Sequence, residues 1–128
     1  MRLHHVQVAC APGAEPAARR FYGEGLGLSE VEKPEELKAR GGAWFRAYDG
    51  QGATTAEIHV GVEDPFSPAR KAHPAFVLAD VATLEETADR LAGLGFQVDW
   101  SQRHNFPGHE RLHTVDGAGN RVELLAVP

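Results

Sequence analysis

Leu3-His4-His5-Val6 and Lys71-Ala72-His73-Pro74 are the stretches on which the reading of this chain turns: each carries a histidine at the same place, 73 − 5 = 68 residues apart. Gly25-Leu26-Gly27-Leu28 returns as Gly93-Leu94-Gly95-Phe96 at the same offset, 93 − 25 = 68. Asp49-Gly50-Gln51-Gly52 returns as Asp116-Gly117-Ala118-Gly119 one residue shorter, at 116 − 49 = 67. Self-similarity at a fixed period decides architecture before any local pattern does. Two similar modules are expected, with metal-competent side chains at equivalent positions.

Working outward from His5, residues 3–10 alternate in polarity, with Val6, Val8 and Cys10 on one face and Leu3, His5, Gln7 and Ala9 on the other, as in a half-buried strand. Pro16 suits the first turn of a helix whose stripe is Ala17, Ala18, Phe21 and Tyr22, and Gly25 to Gly27 stops it. Short strands are expected over 28–32, 43–48 and 56–62, with a Gly-rich turn at 49–52; a helical turn within 32–40 is weakly signalled. The second half repeats this order. A strand at 73–79 precedes a helix opened by the capping box Thr83-Leu84-Glu85-Glu86, with Leu84, Ala88 and Leu91 on one side. Strands over 96–100, 110–116 and 120–127 complete it. The fold class is α+β: two tandem βαβββ modules forming a cup-shaped mixed sheet with helices on its outer face. The chain reads as a single domain over 1–128, with module 1 at 1–63, a linker at 64–72 and module 2 at 73–128. Segment 101–108, polar and unpatterned, is the candidate lid.

At 128 residues the chain is near the commonest domain size, and modules of about 60 residues are small enough that the halves should share buried surface. A net charge of −5 argues against nucleic acid as a partner. No apolar run reaches the ~20 residues of a membrane span and no signal-peptide core stands at the N-terminus, so no membrane role is expected. The lone cysteine, Cys10, makes no internal disulfide, suits a reducing cytoplasm, and is expected to pack as a small hydrophobe.

A duplicated βαβββ module with His near the start and Glu near the end resembles the vicinal oxygen chelate superfamily. That superfamily contains glyoxalase I, extradiol dioxygenases, and fosfomycin- and bleomycin-resistance proteins. The stretches that carry the resemblance are Leu3-His4-His5-Val6, Phe21-Tyr22-Gly23-Glu24-Gly25-Leu26-Gly27-Leu28, and Asp116-Gly117-Ala118-Gly119-Asn120-Arg121-Val122-Glu123-Leu124. The resemblance implies an open cup holding one divalent metal ion, with His5, His73 and Glu123 as ligands. It also implies a homodimer, as in many short members, with the site lying either within one chain or between chains.

Strand parity bears on the ligands independently. His5 lies opposite in face to Val6 and Val8, His73 to Phe76 and Leu78, and Glu123 to Val122 and Leu124. Glu57 and His59 share the inward face of their strand. His59 matches the fourth ligand position because Ile58-His59-Val60 mirrors Val122-Glu123-Leu124, and Glu57 is the competing choice. Imidazole with carboxylate accommodates Zn²⁺, Fe²⁺, Mn²⁺, Co²⁺ or Ni²⁺.

The third strands add Trp44, Arg46 and Tyr48 from one module and Arg111 and His113 from the other, an aromatic and cationic wall for a small anionic or oxygen-rich substrate. His104 and His109 sit in the lid, His4 has the structural parity, and Arg70-Lys71 reads as a solvated turn. The first expectation is a glyoxalase-like lyase or isomerase in which Glu123, or Glu57, moves a proton next to a carbonyl. The alternatives are a fosfomycin-type transferase, an extradiol dioxygenase, and a non-catalytic, metal-free drug binder like the bleomycin-resistance proteins.

Overall fold

The computed structural model describes residues 1–128, and its element order carries the duplication. The first half is β1 (Val6–Cys10), the helical turn α1 (Glu15–Ala18), β2 (Ser29–Val31), α2 (Glu35–Lys38), β3 (Ala43–Tyr48) and β4 (Thr54–Val62). The second is β5 (Ala75–Val77), α3 (Val81–Gly93), β6 (Val98–Asp99), β7 (Glu110–Val115) and β8 (Arg121–Ala126). The two halves form separate four-stranded mixed sheets of like topology, β1-β4-β3-β2 and β5-β8-β7-β6. In each, the outer strand runs parallel to its neighbour and the other pairs are antiparallel.

The registers fix which positions correspond. Gln7 pairs with His59 across β1 and β4, and Ala75 pairs with Glu123 across β5 and β8. Since 7 + 68 = 75, His59 and Glu123 occupy equivalent places in the two sheets. Gly27 and Gly95, also 68 apart, both adopt left-handed backbone with φ of 74° and 89°, which a side chain resists.

Two helix details depart from the sequence expectation. Helix α1 runs directly into a π-helical segment, Arg19–Gly25, and within that wider winding the neighbours Phe21 and Tyr22 are both fully buried. Helix α3 begins before the supposed capping box. Its N-cap is Asp80, whose carboxylate accepts from the Thr83 amide at 2.7 Å, and Thr83 lies inside the first turn. Asp80 outcompetes Thr83 because a carboxylate is the stronger acceptor for the positive helix end.

One hydrophobic cluster of 15 buried residues runs through both halves, from Phe21, Phe45 and Ile58 to Leu84, Leu112 and Leu124. The helices meet at Gly25, where a Cβ would stand 2.6 Å from Leu91 Cδ2, so any larger residue would force the buried Leu91 side chain to shift. Their ends are tied reciprocally: Arg20 donates to the Leu94 carbonyl at 2.9 Å and Arg90 to the Gly25 carbonyl at 2.8 Å. Deeper, Tyr22 donates to Asp116 at 2.7 Å, and Asn120 donates to Asp116 at 3.0 Å and to the Ala9 carbonyl at 2.7 Å. The Asp116 turn thereby fastens the second half to the first. Helix-facing strand positions fill this core, and the opposite faces carry the polar side chains considered next.

Candidate metal centre

The turn Asp116-Gly117-Ala118-Gly119-Asn120 closes Val115 onto Arg121, and counting back along that ladder sets His113 opposite Glu123. His73 enters from just before β5. Ligand atoms of His73, His113 and Glu123 all lie within 4.8 Å of one another, close enough to hold one metal ion. His73 Nε2 is 3.1 Å from Glu123 Oε2, and His113 Nε2 is 3.8 Å from the same oxygen.

Proton placement decides what this cluster demands. His73 Nδ1 lies 2.7 Å from the Lys71 carbonyl oxygen, which only accepts, so Nδ1 carries the hydrogen. In the neutral ring Nε2 then presents a lone pair towards a carboxylate oxygen that also only accepts. A cation must stand between them: a proton on His73 or a metal ion. His113 Nδ1 is buried with no hydrogen-bond partner, which costs stability. Burial pushes the His113 imidazole below its usual range against the pull of Glu123, which favours the neutral form that ligates. Burial alone would raise the Glu123 carboxyl; hydrogen bonds from Arg111 and His73 outweigh it and hold it below the usual carboxylate range. Neutral imidazoles with an ionised carboxylate are the donor set a divalent ion takes, so the residues fit the metal.

Arg111 fixes the carboxylate. Its Nη1 donates to Glu123 Oε1 at 2.9 Å, while Nη2 donates to Asn105 Oδ1 at 2.6 Å and to Gln102 Oε1 at 2.9 Å. Segment 101–108 is thus tied to the cluster through one guanidinium, whose carbon also stands 5.1 Å from the Phe106 ring centre. With Oε1 anchored, Glu123 Oε2 faces His73 and His113 in a set orientation.

The other half of the molecule gathers the remaining expected ligands. Rings of Trp44 and His59 stack at 3.8 Å and 2°, and His59 and His5 at 4.0 Å and 14°. His59 Nε2 lies 2.7 Å from Glu57 Oε1, and Arg46 Nε donates to Glu57 Oε2 at 2.8 Å. Burial would raise the Glu57 carboxyl, but Arg46 and His59 hold it below its usual range. His5 is therefore not in the three-residue cluster, and Glu57 has both oxygens engaged. Both arginines expected to meet an anionic substrate are paired with carboxylates. His5, Arg46, Tyr48, Glu57 and His73 line an open cavity of about 1190 Å³ between the halves, rimmed by the exposed apolar side chains Leu3, Tyr48 and Val77. In the candidate lid His104 is exposed, and His109 sits edge-on to Phe106. His4 lies at the surface with Nδ1 2.9 Å from His5 Nδ1. Arg70 and Lys71 are exposed as expected.

Sequence reasoning placed His113 on the substrate wall and missed it as a cluster member, although the turn length that pairs it with Glu123 is countable. It also missed the Lys71 carbonyl, which carries no side-chain signal.

A sequence model of the Glyoxalase/Bleomycin resistance protein/Dioxygenase superfamily matches residues 2–124. A putative glyoxalase family protein from Bacillus anthracis is 41% identical, with a TM-score of 0.85 over 100% of this chain and 96% of that one. A genomically encoded fosfomycin resistance protein from Listeria monocytogenes shares the fold at 16% identity and a TM-score of 0.74, covering 99% of this chain and 91% of that one. Lactoylglutathione lyase from Agrobacterium tumefaciens does so at 20% identity and 0.67, covering 98% and 94%. No curated protein sequence matches.

Proposed function

We propose a glyoxalase-like, divalent-metal-dependent lyase or isomerase acting on a small oxygen-rich substrate for this chain, which belongs to the Glyoxalase/Bleomycin resistance protein/Dioxygenase superfamily. The observation that carries the proposal is the convergence of His73, His113 and Glu123 around one point. When bound, the ion supplies Lewis-acid stabilisation of negative charge on a substrate oxygen. Glu123 is the acid–base group. Arg111 anchors its Oε1, so Oε2 keeps its orientation while it takes a proton next to a carbonyl and returns it to the neighbouring carbon. Glu57 meets Arg46 and His59 but lies outside the three-residue cluster, so the task falls to Glu123 in this reading. Tyr48 supplies a flat apolar wall of the substrate cavity.

His5 completes the ligand set from a second copy of the chain. Strands β1 and β5 are the outer strands of their sheets, and each presents an open edge that invites pairing. His5 immediately precedes β1 and His73 precedes β5 by two residues, so pairing these edges between copies brings the two half-sites together. The exposed Leu3 and Val77 beside those edges are apolar surface suited to such a homodimer.

The test is deuterium exchange. Metal-loaded protein in D₂O, given thiol hemithioacetals of 2-oxoaldehydes and small 2-hydroxy ketones, should place deuterium beside the carbonyl, and a chelator should stop it. Protein holding its metal that exchanges none of these substrates would overturn the proton-transfer reading.

A further inference from the structure

His5 precedes β1 by one residue, and its backbone lies outside the sheet ladder. A long search over its own rotamers would accompany ligand binding at such a position, at an entropic cost. Its ring nevertheless has a defined neighbour. His59 lies flat against it, sandwiched in turn by Trp44, with interplanar angles of 14° and 2°. His59 itself is 6% exposed and is held in its plane by Glu57, which Arg46 anchors from the other side. Parallel imidazoles stacked face to face direct their nitrogens side by side, not towards a shared point, and His59 Nε2 is already committed to Glu57.

We infer that Trp44, His59 and Glu57 form a positioning stack for His5, in which His59 is the platform and not a metal ligand. The inference rests on the metal-centre reading above, with His5 as a ligand. It explains why the place equivalent to Glu123 holds a histidine: the first module orients an imidazole there, while the second presents a carboxylate. The Glu57 carboxylate fixes the ring plane of His59, the ring plane fixes His5, and the ligand reaches the ion with its rotamer already chosen. Phenylalanine at 59 would keep the flat platform while removing both nitrogens; the loss of the Glu57 contact is tolerable because Arg46 still pairs that carboxylate.

Equilibrium titration of the metal-free full chain with Co²⁺, followed by its visible absorption, tests this. His59→Phe should bind within about 3-fold of wild type with the same absorption bands, whereas His59→Leu, of similar bulk but without a flat ring, should bind about 10-fold more weakly or worse. Equal loss in both variants with altered bands would make His59 a ligand and overturn the inference. Wild-type affinity in both would show the stack to be dispensable and overturn it equally. If His59→Leu does not fold, Trp44→Leu takes its place: it removes the outer ring, leaves the His59 nitrogens and Glu57 untouched, and should weaken binding with bands unchanged. Wild-type affinity in that variant counts against the inference. Failure of the wild-type chain to take up Co²⁺ would instead overturn the metal reading itself, so the two failures are distinguishable.

Discussion

Replacing Glu123 by Gln is expected to abolish tight metal binding while the metal-free protein stays folded. The carbonyl oxygen of the new amide still accepts from Arg111, replacing the 2.9 Å bond that Glu123 makes. The amide NH₂ then points at His73 Nε2 and donates to its lone pair, satisfying a contact that in the native protein waits for a cation. The substitution keeps these hydrogen bonds but strips Arg111 of its counter-charge, and because Arg111 and His73 hold the native carboxyl below its usual range, melting of the metal-free form should fall while the chain still folds. The metal loses its only anionic ligand. Since disturbing outer-sphere partners alone typically costs 10–100-fold in affinity, loss of this ligand should cost at least about 100-fold. Calorimetric titration with Zn²⁺ or Co²⁺ checks the affinity, and thermal melting checks the fold. Near-native affinity in the folded variant would remove Glu123 from the metal site.

The largest effect on stability is expected at Asp116, far from any chemistry. Its carboxylate accepts from the Tyr22 hydroxyl at 2.7 Å, from Asn120 Nδ2 at 3.0 Å, and from the Ala118 and Asn120 amides at 2.9 Å each. Burial, reinforced by Asp116, pushes the Tyr22 phenol well above its usual range, so it remains a donor at any physiological pH. Asp116→Ala strands that donor in the core and unfastens the turn whose Asn120 reaches the Ala9 carbonyl of the first half. Each stranded buried group costs roughly 1–3 kcal/mol, so a total near 3–5 kcal/mol is expected. That is a large share of the ~5–15 kcal/mol of a typical domain and corresponds to roughly a 10–20 °C fall in melting temperature. Asp116→Asn keeps an acceptor for the backbone amides and should lose about half as much. Urea denaturation of both variants measures it, and a loss under ~1 kcal/mol for Asp116→Ala would show that the halves do not depend on this network.

Much of this architecture was legible because duplication doubles every signal. The repeat offset aligned His5 with His73, and period-2 alternation assigned Phe45, Ile58, Leu112, Val122 and Leu124 to the core face, where they are all fully buried. The same alternation put Glu57, His59, His113 and Glu123 on the other face. Alternation fixes the face of a strand and says nothing about what a side chain meets there. Whether Arg46 and Arg111 greet a substrate or a neighbouring carboxylate depends on hairpin register, and the register pairs Arg46 with Glu57 across β3 and β4. Helix α3 shows another limit. Two acceptable caps, Asp80 and Thr83, stand three residues apart, and the extended backbone at Asp80 together with its carboxylate's bond to the Thr83 amide selects between them. The π winding of Arg19–Gly25 had no signal, because the stripe of Ala18, Phe21 and Tyr22 fits an ordinary helix equally well.

Anomalous scattering from a crystal grown with Zn²⁺ or Co²⁺ tests the metal centre most directly. One strong peak per chain is expected at about 2.0–2.2 Å from a nitrogen each of His73 and His113 and an oxygen of Glu123, with His5 of a second copy completing the set. A peak at the stacked rings of His5 and His59, or protein saturated with metal in solution but carrying none at Glu123, would contradict it.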